Sequence, residues 1–141
     1  MTMKTHAWML RGSTTKRFYK ELKKTEFSST EKITKLQGDL LQDIVSHHYE
    51  TTPHFRKKLT DLGLTPANFT KASDIDLLPL LEKEEITTNL ENGLISNGLS
   101  KRHIQKISTS GSTGTPLKYK FSLKDKIYAE AIYLRGLSFG G

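Results

Sequence analysis

Thr109-Ser110-Gly111-Ser112-Thr113-Gly114-Thr115-Pro116 is the stretch on which the reading of this chain turns. It is small and polar throughout, and regular patterns flank it on both sides. Residues 103–109 read as a strand carrying Ile104 and Ile107, and beyond the loop Leu117, Tyr119 and Phe121 alternate with Lys118 and Lys120, the period of a second strand. A loop held between strands can turn several amides and hydroxyls towards one point. Glycine lets the backbone approach closely and take φ > 0, and converging N–H groups form an anion-binding concavity. Phosphate is the natural guest, and Ser110, Gly111, Ser112, Thr113, Gly114 and Thr115 are the candidate phosphate-binding residues. Ser/Gly stretches of this composition are ordinarily flexible connectors, but a connector is not bracketed by regular structure. The loop is not a Walker A motif, because Thr115 stands where the lysine after the second glycine would be.

Upstream the periodicity is helical. Gly12-Ser13-Thr14-Thr15 reads as a loop, followed by a short basic helix over Lys16–Phe27. Ser28 and Glu31 have capping-box spacing. Ile33, Leu36, Leu40, Leu41, Ile44, Val45 and His48 then recur at three- and four-residue steps, which predicts a helix over residues 30–50 with one apolar stripe. Pro53 opens a further helix whose buried face is Phe55, Leu59 and Leu62, and Gly63 is placed to end it. Ser73 and Asp74 can cap a turn that Pro79 stops. A short helix over Glu82–Leu90, two Asn-Gly turns at 92–93 and 97–98, and a helix over Lys124–Leu137 complete the pattern. The fold class is therefore mixed α/β, with a helical N-terminal segment leading into the first strands of a sheet. Two strands alone are marginal, so an incomplete domain, truncated after Gly141, is the expectation.

Composition narrows the chemistry. The chain has 141 residues, 35% hydrophobic, and no cysteine, which excludes disulfides, thiolate zinc and a cysteine nucleophile. No apolar run approaches the ~20 residues of a membrane span, and no signal peptide is visible; a cytoplasmic protein is expected. The net charge is +7. Residues 1–30 hold seven basic side chains against Glu21 and Glu26, a surplus of five on one short N-terminal arm, residues 1–29. That arm lacks the density and interleaved aromatics of a nucleic-acid tract, so nucleic acid is not an expected partner. His47, His48 and His54 do not share a ligand set, since adjacent helical positions point ~100° apart. Glu82, Glu84 and Glu85 suit the positive end of a helix, and Asp74 and Asp76 read as caps. No metal site or catalytic residue is assigned.

The loop resembles the phosphate-binding signature of the adenylate-forming enzymes, the superfamily of acyl-CoA synthetases and ligases. Pro53-His54-Phe55-Arg56, then Leu78-Pro79 with Lys83, then the Ser/Thr/Gly loop follow in the order found in one branch. That branch holds phenylacetate–coenzyme A ligase and proteins of capsular polysaccharide biosynthesis. The resemblance covers about residues 30–141 and implies the N-terminal part of an AMP-binding (adenylation) domain. It implies ATP, Mg²⁺ and coenzyme A as cofactors and a small-molecule carboxylate as substrate, with a homodimer among the assemblies open to it. The loop would clamp the β- and γ-phosphates of ATP while the carboxylate attacks the α-phosphate. Lys118 stands one position later than the lysine many family members place after the loop proline, and it reads as a solvent-facing strand residue. The family's later motifs lie outside these 141 residues, so the chain alone is expected to be inactive. The alternative is a non-enzymatic helical interaction module whose basic arm binds nucleic acid or a protein partner.

Overall fold

A computed structural model of the chain describes residues 12–98, 104–109, 114 and 116–139. Its elements run α1 (Ser13–Lys23), α2 (Thr30–Thr51), α3 (Pro53–Asp61), 3₁₀ turns at Pro66–Asn68 and Ala72–Leu77, α4 (Lys83–Asn89), β1 (Ile104–Ser108), β2 (Lys118–Ser122) and α5 (Leu123–Leu137). The strands form a two-stranded antiparallel sheet, so the mixed α/β class holds. The chain divides into two compact units, residues 30–120 and the two ends, 12–29 with 121–139 among the described residues.

In the first of these, α2 is the spine. Its predicted stripe splits in two. Leu41 and Val45 are buried, whereas Leu40 and Ile44 are 56% and 53% exposed. The reason is the way α2 is covered. Gly38 is buried and a Cβ there would lie 3.1 Å from Lys71 Cα, so the 3₁₀ turn at Ala72–Leu77 sits directly on the helix backbone. That contact fixes the buried face on the Gly38–Leu41–Val45 line and leaves the neighbouring line open. Leu59 and Phe69, both with 0% exposure, close the core with Leu41 and Val45, and Tyr49, Phe55, Leu64 and Leu78 pack around it.

α3 starts at Pro53, where a missing N–H costs nothing, and ends in a Schellman motif. Gly63 takes φ +69°, its N–H donates to Thr60 O at 2.9 Å, and the Leu64 N–H donates to Leu59 O at 2.9 Å. This corrects the expected face. Leu62 occupies the C-cap and is 56% exposed; the motif folds the chain back so that Leu64 meets the core instead. The 3₁₀ turn at Ala72–Leu77 is capped at its start by Asp74, whose carboxylate accepts from Thr70 N–H (2.8 Å) and Lys71 N–H (3.0 Å). Those donors, the Thr70 amide foremost, hold Asp74 below the ordinary carboxylate range.

In the second unit α1 packs on α5. The Phe18 ring meets Tyr128 edge-on at 5.1 Å, and Phe18, Ala131 and Leu134 are buried. The expected loop over residues 12–15 is shorter than the sequence reading: α1 begins at Ser13, Gly12 O accepts the first helical bond from Lys16 N–H, and Thr15 is 5% exposed. Small polar residues at a helix start mimic a loop because they cap as readily as they turn. At its other end α1 stops at Lys23, and Phe27 lies beyond it, 93% exposed. α5 opens with a capping box: Ser122 Oγ accepts from Asp125 N–H, and Ser122 N–H donates to Asp125 Oδ2 at 2.9 Å. Among the described residues no helix is long and apolar enough to cross a membrane.

Candidate functional site

The hairpin that carries the loop is closed at its neck. Thr109 N–H donates to Leu117 O at 3.0 Å, and Leu117 N–H donates to Thr109 Oγ1 at 2.9 Å. Thr109 therefore faces Leu117. Of the predicted phosphate-binding residues, Gly114 is described: it is exposed with φ +150°, a conformation that favours glycine. Ser110, Gly111, Ser112, Thr113 and Thr115 lie outside the described residues.

The Thr109–Leu117 pair sets the register of the whole ladder, placing Lys118 opposite Ser108, Tyr119 opposite Ile107 and Lys120 opposite Lys106. Antiparallel partners point to the same face, so Lys106, Ser108, Lys118 and Lys120 share one side of the hairpin. That side lines a cleft of about 540 Å³ together with the end of α4 and Glu91. The Lys120 side chain is 14% exposed, and its Nζ donates to Glu91 at 2.6 Å. Lys118 is exposed, as expected.

Sequence reasoning missed how the helices feeding this hairpin are locked. His54 Nε2 lies 2.6 Å from Glu85 Oε1, and Lys58 Nζ reaches Glu85 at 2.8 Å and Leu80 O at 2.6 Å. Glu85 thus ties α4 to α3. The Lys58 ammonium, then His54, holds its carboxyl at about 2. The sequence places Glu85 only as a helix-start charge, since a 31-residue separation from His54 leaves no local signal for the pair. The His54 amide donates to Gly93 O at 3.1 Å and Asn97 N–H to Thr51 O at 2.6 Å, so the Asn-Gly turns hang from the α2–α3 junction. Arg56 caps the end of α2, donating from Nε to Tyr49 O and from Nη2 to Glu50 O, both at 2.5 Å. At the same junction His48 Nδ1 lies 2.9 Å from Thr52 Oγ1, and burial, then the nearby His47, lowers its pKa. Among the described residues no three His, Asp or Glu side chains gather as a metal site.

The described residues define a mixed α/β chain with one pair of strands. Comparison with known proteins narrows this. The chain is 27% identical over 113 residues to a phenylacetate–coenzyme A ligase of Thermus thermophilus, covering 79% of this chain and 25% of that protein. A second phenylacetate–coenzyme A ligase, from Aromatoleum evansii, is 27% identical over 106 residues, 74% of this chain and 24% of the relative. No family model matches. Together the relatives support a distant relationship to the phenylacetate–coenzyme A ligases. The chain spans about a quarter of the length of the curated relatives it matches.

Proposed function

We propose that this chain is the N-terminal part of an ATP-dependent, adenylate-forming ligase of the phenylacetate–coenzyme A ligase kind. The observation that carries the reading is the strand-bracketed loop in a chain distantly related to those ligases over about three-quarters of its length. In this reading Ser110, Gly111, Ser112, Thr113, Gly114 and Thr115 receive the β- and γ-phosphates of MgATP while a carboxylate attacks the α-phosphorus. The P–O bond to the β-phosphate breaks, leaving an acyl-adenylate and pyrophosphate; coenzyme A then takes the acyl group and releases AMP. The loop supplies positioned donors, the dominant contribution in chemistry of this type. The reaction belongs to the whole ligase, in the cytoplasm, and the 141-residue chain contributes the phosphate grip without the groups that complete catalysis. A place in capsular polysaccharide biosynthesis is part of the proposal for this branch.

The test is calorimetric titration of the chain with MgATP and with pyrophosphate. Saturable binding that Gly111→Ala and Gly114→Ala abolish supports the reading. Absence of nucleotide binding, with steeply salt-dependent binding of DNA or RNA that requires Lys16, Arg17, Lys23 and Lys24, would replace it with the basic interaction module.

A further inference from the structure

The hairpin beside the loop carries a charge arrangement that strand pairing alone does not favour. Lys106 and Lys120 stand directly opposite each other, and Lys118 follows on the same face, opposite Ser108. Like charges at opposed positions destabilise a strand pair. Glu91 compensates Lys120 at 2.6 Å; no ion pair joins Lys106 or Lys118 to a carboxylate among the described residues. All three lysines, with Ser108 and Glu91, line the same open cleft of about 540 Å³. The cleft starts where the loop ends, since Ser108 precedes Thr109 and Lys118 follows Leu117 at the closed neck.

We propose that this lysine face is a second phosphate-binding element, in which Lys106 and Lys118 grip a polyphosphate anion and the Glu91–Lys120 pair holds the hairpin against the end of α4. The charge logic is direct. Two exposed ammonium groups on one face offer six N–H donors to the oxygens of a diphosphate, and binding relieves the repulsion among the three lysines. The lysines neutralise the anion within the cleft that they line. Where the anion is the tail of ATP, the proposal rests on the ligase reading; the lysine face binds free pyrophosphate on its own chemistry.

The test is titration of the 141-residue chain with sodium pyrophosphate, MgATP and AMP at several salt concentrations, comparing Lys106→Gln, Lys118→Gln, the double variant and Gly111→Ala. Both lysines are exposed, so an unchanged thermal melt is the expected control. Each single variant should weaken pyrophosphate about three- to tenfold, in line with exposed charge-assisted contacts, and the double variant should also flatten the salt dependence. AMP, which lacks the polyphosphate, should bind the double variant and the parent chain alike. If Gly111→Ala removes binding and the double lysine variant matches the parent, the lysine face is overturned while the loop reading stands. If the lysines matter and Gly111→Ala does not, the cleft is an anion site and the loop reading fails. Absence of pyrophosphate binding by the parent chain overturns both.

Discussion

Within residues 30–120, the helical core and the hairpin are built on opposite principles. The core buries Leu59 and Phe69 completely, and a Cβ at Gly38 would lie 3.1 Å from Lys71 Cα, close enough that the backbone would have to give by a few tenths of an ångström. Every described residue of β1 and β2 up to Lys120 is at least partly exposed, and the pairing face holds lysines where a folding unit would place valine or isoleucine. The core is spent on stability. The hairpin gives up apolar burial for a charged face.

The largest effects should therefore fall in the core. Phe69→Ala is expected to cost about 3–5 kcal/mol, the usual range for a fully buried aromatic, read as a lowered denaturant midpoint. Gly38→Val comes next. It forces a branched side chain against the Lys71–Ala72 backbone, at about 1–3 kcal/mol for overpacking. Were Gly38→Val neutral in a urea melt, the close approach of α2 and the 3₁₀ turn would be wrong. On the hairpin, Lys120→Met removes an ion pair whose partner Glu91 is exposed, and should change stability by less than about 1 kcal/mol.

Smaller and more diagnostic is the pH dependence of the ties between helices. Glu85 is held at about 2, below the ordinary glutamate value of 4.5. Its folded form binds a proton less readily than the unfolded chain, so its contribution is full above the ordinary value and is lost as pH falls towards 2. Glu85→Gln should flatten that acid limb of a stability–pH curve. His48 has the same sign at higher pH. Its pKa lies below 6.5 in the folded chain, so protonation favours unfolding, and stability should decline as pH drops below that value. His48→Gln should remove that decline in the same curve.

The helices and strands were legible because they obey short-range rules: Pro53 at a helix start, Gly63 at positive φ after one, the 2-residue alternation around Tyr119. What failed did so where a distant contact decides. Nothing near Leu40 and Ile44 tells them from Leu41 and Val45; the choice is made by residues 71–72 landing on Gly38. Leu62 looked like a core residue because the periodicity of α3 runs through it, and the Schellman turn hands its place to Leu64. Glu85 reads as a helix-start charge because its partners, His54 and Lys58, are distant in sequence. At the candidate site the residue types and strand brackets could be read directly. The lysine face could not, because it depends on a register set by the single pair Thr109–Leu117.

The most direct measurement is a residue-resolved NMR titration of the chain with pyrophosphate. A phosphate-gripping hairpin predicts that the amides of residues 106–120 shift together and saturate, while those of Leu41, Val45, Leu59 and Phe69 stay in place. Shifts confined to the basic residues of α1, or no saturable shift in the hairpin, would contradict the account.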